Sequence, residues 1–108
     1  YSGDDATART SILAGFQGDI SVTANVAPGA MARMCAAALA GDAAAAEAAD
    51  APLAGLHERL FLDPNPIPVK WALARMGRIG NGIRLPLVSM NPKYEKPLTE
   101  ALQQAGAL

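Results

Sequence analysis

One short stretch of this chain needs partners that the rest of the chain does not offer. Asp19-Ile20-Ser21-Val22-Thr23 alternates apolar and polar side chains, is rich in β-branched residues and is bounded by Gly18 and Asn25, the pattern of a β-strand. No other segment carries a convincing strand pattern. A single strand leaves N–H and C=O groups unpaired along both edges, and even two paired strands are marginal in water. The strand therefore calls for neighbours from outside these 108 residues.

Everything around it has helical spacing. Residues 7–16 form a short helix in this reading, with Asp4 and Asp5 ahead of it as N-cap candidates, Ile12 and Phe16 four apart, and Gly15 and Gly18 at its end. Met31, Met34, Cys35, Ala38 and Leu39 set one apolar stripe on a helix over 28–40 that Gly41 stops. An alanine-rich run leads to Leu53, Leu56 and Leu60, with a bend expected at Pro52 and Asp50 as a candidate cap there. Asp63-Pro64-Asn65-Pro66-Ile67-Pro68 places prolines at alternate positions and predicts a rigid extended connector. A helix then starts near Pro68, with Val69, Leu73 and Met76 on one face, and ends among Gly77, Gly80 and Gly82. Leu85-Pro86-Leu87-Val88 is expected as an extended apolar crossing, and Leu98, Ala101, Leu102 and Ala105 mark a last helix that Gly106 stops. A helix, a strand and a further helix joined by short connections are what a βα barrel or doubly wound sheet supplies when part of it is taken alone.

Composition narrows the functional classes. Hydrophobic residues make up 51% of the chain and charged residues 18%, which is globular rather than disordered. The net charge is −1 and the nine basic residues are scattered, so no nucleic-acid footprint is present. One Cys and one His do not make a thiolate zinc site or an internal disulfide. No apolar run approaches the roughly 20 residues that span a bilayer. The opening Tyr1-Ser2-Gly3-Asp4-Asp5 has no initiator Met, basic n-region or apolar h-region, so the chain is expected to be a piece of a longer, cytoplasmic polypeptide.

Four blocks in order identify a relative. Ser2-Gly3-Asp4-Asp5, Ile20-Ser21-Val22-Thr23-Ala24-Asn25-Val26, Asn65-Pro66-Ile67-Pro68-Val69-Lys70-Trp71-Ala72 and Arg84-Leu85-Pro86-Leu87 together resemble the dihydrodipicolinate synthase family of pyruvate-dependent, aldolase-type lyases. The resemblance spans this whole chain and the C-terminal portion of the family's pattern, starting where the seventh barrel strand ends. It implies an α/β fold: the C-terminal part of a (β/α)8 TIM barrel plus an appended helical domain, this chain itself being mostly α. Residues 1–41 would be the last βα units, with 7–16 as helix 7, 19–23 as strand 8 and 28–40 as helix 8. Residues 42–108 would be the C-terminal helical domain.

The same resemblance implies function. Barrel sites lie at the C-terminal ends of the strands, so Gly3 and the main chain of Ile20 would contact bound pyruvate. A glycine there lets backbone approach a substrate closely. The family condenses pyruvate with L-aspartate 4-semialdehyde on the route to lysine and diaminopimelate, through a Schiff base on a lysine of strand 6, without a cofactor or metal, and as homotetramers. That lysine, a proton-relaying tyrosine and the threonines of an early strand all belong to the missing N-terminal part. No catalytic group is therefore implied in this chain, which alone would be inactive. The lysine-feedback site would also lie outside these residues. Two rivals stay open: a related N-acetylneuraminate lyase or keto-sugar-acid aldolase, and a non-catalytic helical interaction module, which would unfold cooperatively as a monomer where a piece of barrel would expose apolar surface.

Individual residues invite sharper readings. Asp4 and Asp5 are adjacent carboxylates of the kind used as acid and base, but capping or loop ordering suits them better, since neighbours in a helix do not face each other. A role near the second substrate stays open. Lys70, beside Trp71, is read as structural rather than nucleophilic, and Lys93 and Lys96 as solvated. Ser21 and Thr23 are expected to pack, His57 to be a surface or packing residue rather than a ligand, Cys35 to be a buried inert thiol, and Trp71 to pack the helical domain on the barrel. Asn65 is a candidate hydrogen-bonding residue across that junction.

Overall fold

The helical spacings become six α-helices in the computed structural model, which describes residues 1–108. In chain order they are α1 (Asp5–Leu13), α2 (Pro28–Leu39), α3 (Ala43–Asp50), α4 (Ala54–Arg59), α5 (Ile67–Arg75) and α6 (Glu95–Gln104). Short 3₁₀ turns cover Thr23–Asn25, Ala51–Leu53 and Pro92–Tyr94. Pro28 lies in the first turn of α2, where its missing N–H has no intrahelical partner to lose. Asp42 caps α3 by accepting from the Ala45 amide at 3.0 Å. Gly77 follows the end of α5 and adopts a φ of 74°, a left-handed conformation that closes helices at little steric cost.

The apolar stripes meet in one core. Met31, Met34 and Ala38 of α2 face the α1 and α3 side, and Leu53, Leu56 and Leu60 face Leu98, Ala101 and Leu102 of α6. Leu53, Leu56, Leu60, Leu98 and Leu102 have no exposed side-chain surface, so each contributes about 2 kcal/mol relative to an exposed leucine. The core runs without interruption from Ala8 to Leu102, across the Gly41 turn.

Gly55 sits where α4 crosses α6. A Cβ there would come within 2.9 Å of Gln104 Oε1 and 3.4 Å of Ala101 Cβ. The first is the movable end of a side chain, so Gly55→Ala is expected to change stability by less than about 1 kcal/mol, while Gly55→Leu overpacks the crossing and costs about 2 kcal/mol. Thermal unfolding of both variants checks this, and equal losses would place the crossing elsewhere.

Several expectations are corrected. The strand over 19–23 contracts to a single parallel bridge between Ser2 and Asp19, and by Thr23 the chain already turns as a 3₁₀ helix. The physical reason is the one that made the strand conspicuous: without flanking strands there is no ladder to hold it extended. The first helix runs over Asp5–Leu13 rather than 7–16, because Gly15 at φ 125° takes the backbone out of helix. The proline-rich connector is a set of turns rather than extended chain. One turn is closed by the Ile67 amide donating to the Pro64 carbonyl at 2.9 Å around a cis Asn65–Pro66 bond. The 85–88 segment also turns, with the Leu87 amide donating to the Arg84 carbonyl at 3.1 Å, leaving Leu85 and Val88 exposed. The bend at Pro52 is present as the 3₁₀ turn between α3 and α4, but the Asp50 side chain makes no capping bond there.

Candidate functional site

The Ser2–Asp19 bridge brings the first residues of the chain beside the segment that follows Gly18. The Ser2 amide donates to the Gly18 carbonyl at 2.9 Å and the Ile20 amide donates to the Ser2 carbonyl at 2.8 Å, the slanted pattern of parallel strands. One residue beyond this bridge lie Gly3 and Ile20, side by side at the same end. Ile20 is 73% exposed and its carbonyl accepts no hydrogen bond within the chain, while a Cβ on Gly3 would meet nothing within 4 Å. Backbone is thus presented to an open face at the two positions taken from the sequence.

Behind this face the segment 20–25 is pinned by side chains. Asp5, only 4% exposed, accepts from the amides of Val22 and Thr23 at 3.0 Å each, through Oδ2. Ser21 Oγ accepts from the Ala24 amide at 2.9 Å. Asp5 is therefore no helix cap. Its place in the first turn of α1 aims it back at residues 22 and 23, where it orders the loop. Asp4 occupies the N-cap position, but its carboxylate accepts from Thr7 Oγ1 at 2.6 Å instead of from a backbone amide.

Asp5 Oδ1 and both carboxyl oxygens of Asp19 are buried with no hydrogen-bond partner, and each carboxyl acts on the other's ionisation. A proton retained on Asp19 would supply a donor toward Asp5. Burial pushes the Asp5 carboxyl up, but hydrogen bonds from Asp19, Ser21 and the Thr23 amide, with the charge of His57, outweigh it and hold Asp5 below its ordinary value. Asp19 is pushed up to about 7, first by burial and then by the hydrogen bond and charge of Asp5.

A second buried chain of groups extends from Thr23. Thr23 Oγ1 lies 2.9 Å from His57 Nδ1, His57 Nε2 lies 2.9 Å from Asp50 Oδ1, and Arg9 Nε donates to Asp50 Oδ2 at 3.1 Å. His57 is 6% exposed, which decides between the surface and packing readings in favour of packing: α4 turns that face inward, and the imidazole is satisfied on both nitrogens. Burial raises the Asp50 carboxyl, but its bonds to His57 and Arg9 and their charges more than reverse this and hold it low. The order Thr–His–Asp has the connectivity of a hydrolase relay. Thr23, however, has no exposed surface, so no carbonyl can reach Oγ1, and the array is structural in this chain.

The remaining candidates lie elsewhere. Lys70 and Trp71 line a cleft of about 310 Å³ between α5 and the 80–90 segment, with Asn81, Ser89 and Glu95. Asn65 is exposed and its side chain makes no hydrogen bond. Lys93 is exposed over the Tyr94 ring at 5.0 Å. Cys35 is half-buried, and burial, followed by the charges of Asp19, Asp5 and Asp50, raises its thiol. No three His, Cys, Asp or Glu side chains are placed to hold a metal, and no helix is long and apolar enough to cross a membrane.

Sequence reasoning missed Asp19, His57, Asp50 and Arg9 as members of one network. A signal existed in part: Asp5 and Arg9 are four apart, a spacing that shares a helix face, whereas Asp50 and His57 fall on either side of the Pro52 bend. Nothing in the sequence showed that the two pairs meet.

The pattern of the dihydrodipicolinate synthetase family matches residues 1–105. The chain is 62% identical over 108 residues to the 4-hydroxy-tetrahydrodipicolinate synthase of Alcanivorax borkumensis and 58% identical to that of Pseudomonas aeruginosa, covering 100% of this chain and 37% of each relative. It thus spans little more than a third of their length. Among solved structures, the chloride-inhibited dihydrodipicolinate synthase of Acinetobacter baumannii complexed with pyruvate superposes with a TM-score of 0.97 at 52% identity, over 100% of this chain and 37% of that one. The Thermotoga maritima dihydrodipicolinate synthase gives 0.94 at 40% identity with the same coverage.

Proposed function

The chain belongs to the dihydrodipicolinate synthetase family, and from that premise we propose that it supplies the C-terminal wall and scaffold of a lyase condensing pyruvate with L-aspartate 4-semialdehyde. Its architecture is that of the C-terminal part of such a barrel enzyme. In the reading proposed, residues 1–41 complete the barrel, residues 42–108 form the appended helical domain, and the working assembly is a cytoplasmic homotetramer.

The observation that carries this reading is the parallel Ser2–Asp19 bridge, which sets Gly3 and the Ile20 main chain together at one strand end. Pyruvate would lie against that backbone. An amine from the remaining part of the barrel attacks the pyruvate carbonyl carbon, and water leaves as the imine forms. Loss of a methyl proton gives the enamine, whose carbon attacks the aldehyde carbon of the second substrate. Asp4 and Asp5 stand next to Gly3, and the geometry of Asp5 supports loop ordering rather than proton transfer to substrate.

Pyruvate and borohydride followed by mass spectrometry test the assignment. The chain alone is expected to stay at 11.1 kDa, with Lys70, Lys93 and Lys96 unmodified. Joined behind the N-terminal portion of the Pseudomonas aeruginosa relative, it is expected to complete a lyase whose reduced pyruvyl adduct maps to that N-terminal portion. An adduct on Lys70 would overturn the division of labour. A folded fusion that neither binds pyruvate nor condenses it would overturn the function.

A further inference from the structure

The face that would contact pyruvate is held from two sides, and only one of them is local. Asp5 and Ser21 fix residues 22–24 from within residues 1–41. Two side-chain hydrogen bonds alone cross from residues 1–41 to residues 42–108: Thr23 Oγ1 with His57 Nδ1 at 2.9 Å, and Arg9 Nε to Asp50 Oδ2 at 3.1 Å. Both end on the same pair, since His57 Nε2 and Asp50 Oδ1 are themselves 2.9 Å apart. Asp5 and Arg9 stand one turn apart on α1, so the contacts close a ring that runs from α1 through Asp50, His57 and Thr23 and back to Asp5.

We propose that this ring is a clasp through which the helical domain sets the position of the Ile20 main chain, with Thr23 and His57 as positioning residues for pyruvate. The inference rests on the reading of Ile20 as part of the pyruvate wall. The segment needs such a clasp because its backbone leaves the bridge after Ile20 and finds no further strand partner within the chain. Thr23 is wholly buried and three residues from Ile20, close enough that a shift of its side chain moves the backbone that faces substrate. With His57 Nε2 against the Asp50 carboxylate, Nδ1 is the nitrogen that meets the Thr23 hydroxyl, and the Asp50–Arg9 pair fixes the orientation of the ring. The hydroxyl is thus held by an imidazole that is itself held.

The test combines two readouts. In the fusion with the Pseudomonas aeruginosa N-terminal portion, Thr23→Val keeps the shape and removes the hydroxyl. It is expected to raise KM for pyruvate about tenfold, with kcat and the KM for aspartate semialdehyde within about twofold. Thr23→Ser restores the pyruvate KM to within about threefold. His57→Gln keeps a donor toward Asp50 but withdraws the acceptor from Thr23, and follows Thr23→Val even where that variant folds poorly. An unchanged pyruvate KM in both, or a rise that serine does not reverse, overturns the clasp. Hydrogen exchange on the same fusion gives an answer that needs no activity. The amides of Val22, Thr23 and Ala24 are expected to exchange about tenfold faster in Thr23→Val than in Thr23→Ser. Equal exchange sinks the clasp, whereas a dead unsubstituted fusion with the exchange difference intact sinks only the proposed function.

Discussion

Asp5→Ala is expected to destabilise the folded chain by about 3 kcal/mol, measured as a shift of the urea midpoint at neutral pH. The carboxylate accepts from two amides, Val22 and Thr23, and Thr23 has no exposed surface. Alanine leaves both donors without an acceptor, and each stranded buried N–H costs about 1–3 kcal/mol. Losing a buried charge recovers part of this, which is why the sum stays below the upper limit of that range. Asp5→Asn retains an acceptor oxygen at nearly the same place and is expected to cost about 1 kcal/mol. Equal effects of the two substitutions, or none from either, would show that the loop at 22–24 is held by packing and not by these bonds.

Stability is expected to fall as pH rises from about 4 through about 7, and Asp19→Asn is expected to abolish most of that fall. Asp19 is raised from 3.8 to about 7 in the folded chain by burial, then by Asp5. Between those values the folded state holds a proton that the unfolded state has released, so folding is favoured at the acidic end and the advantage is lost toward alkaline pH. Asp5 works in the other direction: its lowered value adds stability above the ordinary carboxylate range, and that stability is lost as pH falls. The most stable condition therefore lies on the acidic side of neutrality, with Asp5 ionised and Asp19 protonated. Asparagine at position 19 carries a permanent donor toward Asp5, so the variant is expected to be the more stable of the two at pH 8 and close to the parent at pH 5. The difference between their urea midpoints across this range isolates Asp19 from His57, which both proteins share. Parallel curves would show that the two carboxyls do not share a proton.

The helices were legible because their apolar stripes are local. Met31, Met34 and Ala38, or Leu98, Ala101 and Leu102, fall on one face by spacing alone, and the structure buries that face. Gly106 stops the last helix as its position indicates. The proline segments were not legible in the same way. Alternating prolines restrict φ, but whether the chain then extends or turns depends on which carbonyl a later amide finds, and Ile67 finds Pro64. The strand shows the same limit from the opposite side: residues 19–23 have the pattern of one, and without partners they keep only the bridge to Ser2.

The positions proposed to face pyruvate, Gly3 and Ile20, came from motif resemblance, and the parallel bridge is what sets them side by side. The network behind them was hidden because its members are dispersed. Asp5, Arg9, Asp19, Thr23, Asp50 and His57 each have an ordinary reading alone: a cap, a surface base, a strand edge, a small packed hydroxyl, a second cap and a surface or packing histidine. What the sequence by itself determined is which faces are apolar, where the helices lie and which family the four blocks belong to, because periodicity and motif order are properties of neighbouring residues. Only the tertiary structure decided that α4 turns its histidine inward onto Thr23 and that two carboxyls 14 positions apart in sequence share one buried space. The reason is physical: burial and hydrogen-bond partnership are set by which surfaces pack together, and the charge, protonation and role of a polar side chain follow from those partners.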